Sequence, residues 1–349
     1  MPKEFHYHYK IDNSTFLRGV PMASLHRSAQ GVPTAPHTLA ILGCGALGTA
    51  ILLGVLASIR AHGDSLDENE TVSPANAVAT QKSPPSSSPT PNNFIACVRT
   101  AVSAARITKA LGTPPCNVTI HHGHDSAPSL LDADIIILGC QPIDLHSCLG
   151  NDTIKAALHG KLVISLLAGV TISDIESVLG WQDGKSYVPT TVIRAMPNTA
   201  SVVRQSMTVI EAPGGTSART LRMVDWLFSS IGIVQHIPAS KFDTCTALCA
   251  STPAFFALFL EGLIDGAVAL GLTRSEAQIM AAQAMKGSAE LVLAGDHPTK
   301  VKEEITTPGG STIRGVLKLE QGNLRAVVAG ALIECKTAAE GLGARNREK

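Results

Sequence analysis

Thr38-Leu39-Ala40-Ile41-Leu42-Gly43-Cys44-Gly45-Ala46-Leu47-Gly48 is the stretch on which the fold turns. A short apolar run stops at a glycine, and the glycines then follow the spacing Gly-x-Gly-x-x-Gly. Such a run, bounded at once by a turn signal, reads as a strand buried on both faces. From Ala46 to Arg60 the residues Leu47, Ile51, Leu52 and Val55 recur at helical spacing. Strand, glycine turn and helix therefore follow one another without a gap, which is the context that turns a weak motif into a dinucleotide-binding one. Gly43 would make the tight turn, Gly45 would let the backbone approach a pyrophosphate, and Gly48 would let helix and strand pack closely. Cys44, Ala46 and Leu47 complete the loop, whose helix N-terminus would stabilise phosphate charge. The uncharged stretch from Leu39 to Ile59 approaches the roughly 20 residues of a membrane span, but glycines break its first third and favour strand, turn and helix.

The same alternation continues outward. Phe94-Ile95-Ala96-Cys97-Val98 reads as a second buried strand and Ala101 to Leu111 as a helix stopped by Gly112. Val118 to Ile120, Asp134 to Cys140 and Lys161 to Gly169 read as further strands, with a last one near Met207 to Glu211. This β–α order predicts an α/β architecture, a Rossmann-like doubly wound parallel sheet over residues 38–238. The second strand ends in Arg99-Thr100, where NAD enzymes carry an acidic residue for the ribose 2′-hydroxyl. A guanidinium matches a 2′-phosphate instead, and Thr100 can cap the next helix and donate to the same phosphate. The expected cofactor is NADPH, with NADH second.

Two segments break the pattern. Residues 1–37 read as a disordered extension. Residues 62–93, with Asp67-Glu68-Asn69-Glu70 and a run of serines and prolines, read as a disordered insertion in a surface loop. After Ala239 the pattern is helical to the end, giving an all-α domain over 239–349. Pro253 to Leu270 is nearly all apolar and is closed by Gly271; Thr273 to Glu276 forms a capping box. So apolar a helix in a small helical domain needs a cover, and a partner subunit is the natural one.

Composition narrows the function. Lys plus Arg and Asp plus Glu number 28 each, net charge is zero, and no basic stripe appears, so nucleic acid is not an expected partner. Eight scattered cysteines without a CxxC pair suit a reducing compartment. The first 36 residues mix acids with bases, unlike an import presequence, which favours the cytosol over the mitochondrion. His121-His122-Gly123-His124-Asp125 reads as a hydrated loop after the third strand, and no metal is expected. Cys245 and Cys249, one turn apart, read as packing, and Glu261 with Asp265, though spaced like a catalytic carboxylate pair, as helix caps, interface bonds or a solvated stripe.

Several segments together resemble the pyrroline-5-carboxylate reductase family. Met196-Pro197-Asn198-Thr199 matches its MPNT, Leu167-Ala168-Gly169-Val170-Thr171 its AAGVT, and Thr306-Thr307-Pro308-Gly309-Gly310-Ser311-Thr312-Ile313 its TSPGGTTI. The matches run in order from Thr38 to Gly343, outside the extension and the insertion. The resemblance implies reduction of 1-pyrroline-5-carboxylate to proline, with a six-membered cyclic imine carboxylate or a non-catalytic NADPH-binding regulator as rivals. It implies a helical homodimer, alone or in a larger ring of dimers. It also places Cys140, Gln141, Pro142, Ala168, Gly169 and Asn198 at the cofactor, and Thr307, Gly309, Gly310, Ser311 and Thr312 at the substrate carboxylate. Thr312 and Thr246 are the implied catalytic contacts. The physics of the glycine pair agrees, since a freely turning loop at a helix start is an anion cradle. Two departures stand out. Gly139-Cys140-Gln141-Pro142 replaces AVKP and loses a lysine. Ala250-Ser251-Thr252-Pro253 replaces GSGP and gains a threonine.

Overall fold

The computed structural model describes residues 37–64, 90–123, 126–180 and 190–347. The extension and most of the insertion expected from the sequence lie outside these residues. The insertion's outer edges do not: residues 62–64 finish the first helix and Asn93 opens the second strand.

Eight strands form one sheet in the order β3-β2-β1-β4-β5-β6-β7-β8. They are β1 (Thr38–Leu42), β2 (Asn93–Val98), β3 (Asn117–His122), β4 (Ile135–Leu138), β5 (Leu162–Ser165), β6 (Thr191–Met196), β7 (Ser206–Glu211) and β8 (Gly232–His236). Neighbours from β3 to β6 are parallel, as expected. The pairing of β6 with β7 is antiparallel, and β8 runs parallel to β7. A wholly parallel sheet ending near Glu211 is thereby corrected. The compact turn Thr199–Val203 joins β6 to β7, too short for a crossover, so the chain must double back.

Helices cover both faces. On one side α1 (Ala46–Asp64), α2 (Ala101–Leu111) and α7 (Ala218–Ser229) pack over a core that includes Ile41, Ile51, Phe94, Ile107, Leu227 and Phe228. On the other, α3 (Ala127–Leu131), α4 (Leu145–Leu149), α5 (Asp152–Leu158) and α6 (Ile172–Leu179) enclose Ile136, Leu138, Leu145, Val163 and Ile175. Each such side chain contributes about 1.5–3 kcal/mol of burial. Between β1 and β4 the strand order reverses, and in open α/β sheets ligands bind at the carboxyl ends of the strands at that point.

The strand β6 escaped the sequence reading because Arg194 interrupts its apolar run. In the fold Arg194 is buried, with one guanidinium nitrogen 2.7 Å from Glu211 and another 3.3 Å from Asp243. The guanidinium also lies 3.8 Å from the centre of the Phe242 ring. This cluster ties the sheet to α8 (Phe242–Thr246), which begins the helical segment.

From α8 the chain makes a π-helical turn, Ala247–Ser251, and enters α9 (Thr252–Ala269). It continues through α10 (Arg274–Leu293), α11 (Pro298–Ile305), α12 (Ser311–Gln321) and α13 (Leu324–Arg347). Thr273 and Glu276 close the expected capping box, and Asp265 pairs with Arg274 at 2.9 Å. None of the side chains of α9 is buried, and Phe256, Leu258 and Leu263 stand exposed. By length and composition alone the helical run Ala239–Ala269 could cross a membrane. The stretch 39–59, in contrast, is β1, turn and α1.

Candidate functional site

The carboxyl ends of β1, β2 and β4 open onto a cleft of about 700 Å³. Gly43, Cys44, Gly45, Arg99, Thr100, Cys140 and Gln141 line it, so seven of the sequence-expected cofactor residues converge. Each motif glycine answers to a separate constraint. Gly43 has φ +83°, and a Cβ there would sit 2.7 Å from the Cys140 backbone nitrogen, between the ends of β1 and β4. A Cβ on Gly48 would lie 3.0 Å from the Ile41 side chain, where α1 rests on β1. A Cβ on Gly45 would meet nothing nearer than the Gly43 oxygen at 3.9 Å. Gly45 is exposed, so the protein itself does not need it small; a molecule lying against the loop would. The first N–H groups of a helix have no intrahelical acceptor, and α1 begins directly after this loop. The cleft therefore fits a dinucleotide pyrophosphate.

At the far side of β2, Thr100 caps α2 by accepting from the Ser103 N–H at 3.2 Å, and its hydroxyl donates to the Ser103 hydroxyl at 3.0 Å. Arg99 is largely solvent-exposed, so it can swing onto a ligand. Its guanidinium lies 3.8 Å from the Asp144 carboxylate. Asp144 also lines the cleft, together with Ser126, Ser147, Asn151 and Thr153, a polar wall that the sequence reading missed. These residues belong to short helices and their caps, too brief for a periodic signal; Asn151, for example, caps α5 by accepting from the Thr153 N–H at 2.8 Å. With Gln141 in place of lysine and Asp144 beside Arg99, this pocket is less positive than the family pattern implies.

Other expected residues lie elsewhere. Cys44 is wholly buried at the edge of the cleft and packs in the core. Ala46, Leu47, Pro142, Ala168, Gly169 and Asn198 do not line it; Pro142 opens the 3-10 turn Pro142–Asp144. Ala168 packs with Met196, Val209 and Phe242, beside Cys245 and Cys249, whose packing role is thus seen. Asn198 fastens the helical segment to the sheet. Its side-chain nitrogen donates to the Cys249 carbonyl at 2.9 Å, and its side-chain oxygen accepts from the Ala200 N–H at 3.0 Å. The added hydroxyl of Thr252 donates to the Leu248 carbonyl at 2.5 Å, so this departure serves the π-helical turn. Thr246 is buried in α8, and its hydroxyl has no hydrogen-bond partner among the described residues. It stands at the N-cap of the π-helical turn without a side-chain capping bond; a buried hydroxyl without a partner is costly and calls for one from outside.

The glycine loop of the C-terminal signature is in place but stands apart from the cleft. Thr307 accepts from the Gly310 N–H at 3.1 Å, Gly309 takes φ +69°, and Ser311 with Thr312 opens α12. Thr307, Gly309, Ser311 and Thr312 are exposed, and none of this loop lines the cleft. His121 and His122 close β3 rather than forming a loop; adjacent strand residues point to opposite faces and cannot share one ion. His124 and Asp125 lie outside the described residues.

Two family models match the chain. One, NADP oxidoreductase coenzyme F420-dependent, covers residues 38–169. The other, pyrroline-5-carboxylate reductase dimerisation, covers residues 239–342 and so takes in the exposed apolar helices, where it supports oligomerisation through the helical domain. The chain is 46% identical over 314 residues to pyrroline-5-carboxylate reductase of Lophium arboricola, covering 88% of this chain and 93% of that one. To the enzyme of that name from Neurospora crassa it is 41% identical, with 88% and 93% covered. Among solved structures, the pyrroline-5-carboxylate reductase of Coxiella burnetii aligns with a TM-score of 0.67 at 25% identity, over 88% of this chain and 99% of that one. The cleft at the sheet's switch point, the PGGST loop and these likenesses agree, and this chain belongs to the pyrroline-5-carboxylate reductase family.

Proposed function

We propose that the protein reduces 1-pyrroline-5-carboxylate to L-proline with NADPH, in a homodimer. The observation that carries this reading is the pairing of a dinucleotide cleft with an intact PGGST loop in one chain. Bound in the cleft, NADPH supplies a hydride. Gly43, Gly45 and the start of α1 would hold the pyrophosphate; Arg99, Thr100 and Ser103 would take the 2′-phosphate. The substrate is a cyclic imine that protonates readily in water, so it arrives electrophilic and asks the protein for position rather than for a strong acid. The N–H groups around Gly309 and Gly310 and the hydroxyls of Ser311 and Thr312 would hold its carboxylate. Thr246, buried without a partner, would face the reacting end.

Because the PGGST loop is exposed and off the cleft, we assign its catalytic position to the dimer. Pairing through α9 and α10 covers Phe256, Leu258 and Ile279 and brings one copy's loop toward its partner's cleft. Exposed Val327, Val328 and Ile333 on α13 leave a further apolar surface through which dimers can join into a larger ring. The cytosol suits the free thiols of all eight cysteines.

The test is NADPH oxidation with pyrroline-5-carboxylate beside the six-membered piperideine-6-carboxylate. Faster turnover of the five-membered ring is expected; preference for the larger ring, or no turnover of either, overturns the reading. Arg99→Ala should raise the KM for NADPH roughly tenfold while leaving that for NADH nearly unchanged. Equal effects on both cofactors would remove the 2′-phosphate role. Thr312→Ala should lower kcat/KM for the imine about tenfold or more with NADPH affinity intact. Loss of helical circular dichroism instead would make Thr312 a structural residue.

A further inference from the structure

Arg194 is a buried charge for which hydride transfer has no direct use. Its guanidinium bonds Glu211 of β7 at 2.7 Å and Asp243 of α8 at 3.3 Å, and lies 3.8 Å from the centre of the Phe242 ring. Its Nε is buried and has no partner among the described residues. Such a cluster adds little net stability over apolar side chains of similar size. What it adds is direction, since each bond fixes an angle as well as a distance. We propose that Arg194, together with Asn198, is a positioning residue that holds the Thr246 hydroxyl in place for the reaction. The catalytic half of this rests on the reading of Thr246 as a contact at the reacting end.

The two attachments bracket Thr246. Arg194 holds Asp243, about one helical turn before it. Asn198 donates to the Cys249 carbonyl at 2.9 Å, about one turn after it. Phe242, under the guanidinium, also lies one turn before Thr246 and shares its helix face. Its ring is wholly buried and packs with Met196 and Val209. Both anchors come from one strand and its end, for Arg194 lies in β6 and Asn198 follows it directly after Pro197. That strand is paired on both sides, with β5 and with β7.

Thr246 needs this support because its own helix supplies little. α8 has 5 residues and passes at once into the π-helical turn Ala247–Ser251, with Thr246 at the junction. So short a helix does not hold itself together in water, and π-helical turns recur at functional sites. The Thr246 hydroxyl is the buried group left without a partner at this joint. Its value to a reacting molecule depends on place, since a shift of about 1 Å can cost roughly a hundredfold in rate.

Asp243→Ala cuts one attachment without emptying the core, because Asp243 is partly exposed and Arg194 keeps Glu211. In the full chain, the Thr246 methyl resonance, assigned by its loss in Thr246→Ala, should shift and broaden in Asp243→Ala. With pyrroline-5-carboxylate, kcat should fall roughly tenfold while the KM for NADPH is unchanged. Adding Asp243→Ala to a Thr246→Ala chain should cost nothing more, because residues that act through one group are not additive. An unmoved resonance overturns the proposal whatever the activity. A moved resonance with losses that multiply in the double variant overturns its catalytic half. If the unaltered chain turns over no imine, or Thr246→Ala leaves kcat unchanged, the reading of Thr246 falls and the catalytic half with it, while the resonance still decides the clamp.

Discussion

Gly45→Ala is expected to leave thermal unfolding of the chain unchanged while affinity for NADP falls about a hundredfold. The protein has room for the added methyl, since nothing lies nearer than 3.9 Å to its place. That room is what the pyrophosphate would occupy. Gly43→Ala is expected to lose both stability and binding. Its φ of +83° strains any other residue by about 1–3 kcal/mol. Its methyl would also strike the Gly139 and Cys140 backbone at 2.8 and 2.7 Å, where no side chain can give way. The pair of variants therefore separates a ligand constraint from a folding constraint within one motif. A Gly45→Ala protein that binds NADP as tightly as its parent in calorimetry would show that the loop is not the phosphate cradle.

Leu258→Glu should convert the assembly to folded monomers and abolish imine turnover. In one chain Leu258 is 70% exposed, so a carboxylate there disturbs nothing. In a helical interface it would be a buried charge without a partner, which few interfaces tolerate. Sedimentation and far-ultraviolet circular dichroism would report mass and helicity side by side. A variant that stays dimeric and active would move the interface away from α9 and detach the PGGST loop's role from pairing.

Much of this arrangement can be read from the chain alone. β1, β2, α1 and α2 are legible because their signals are local: apolar runs, glycine stops, and Thr100 ahead of a helix. Thr273 and Glu276 announce α10 for the same reason. β6 is not legible, because Arg194 makes its run look broken and only Glu211 and Asp243, distant in sequence, neutralise it. β8 is missed because Gln235 and His236 lie exposed at the sheet's edge and leave no alternation. The glycine half of the cleft is written in a motif. Its polar wall from Asp144 to Thr153 is assembled from caps of very short helices. The position of the PGGST loop is not legible for a different reason: the apolar run of α9 calls for a partner subunit, but no local pattern says where that partner sets the loop.

The π-helical turn before α9 has one further implication. Pro253 has no N–H to give this turn, and side chains donate to its carbonyls instead, Thr252 to Leu248 and, from another part of the chain, Asn198 to Cys249. Pro253 and Asn198 are therefore epistatic. A chain that keeps the proline needs the asparagine, whereas one that exchanges Pro253 for alanine regains a backbone donor and can let Asn198 vary. Mutational history at this joint is expected to run in pairs, with the loop residue freed only after the helix residue has changed.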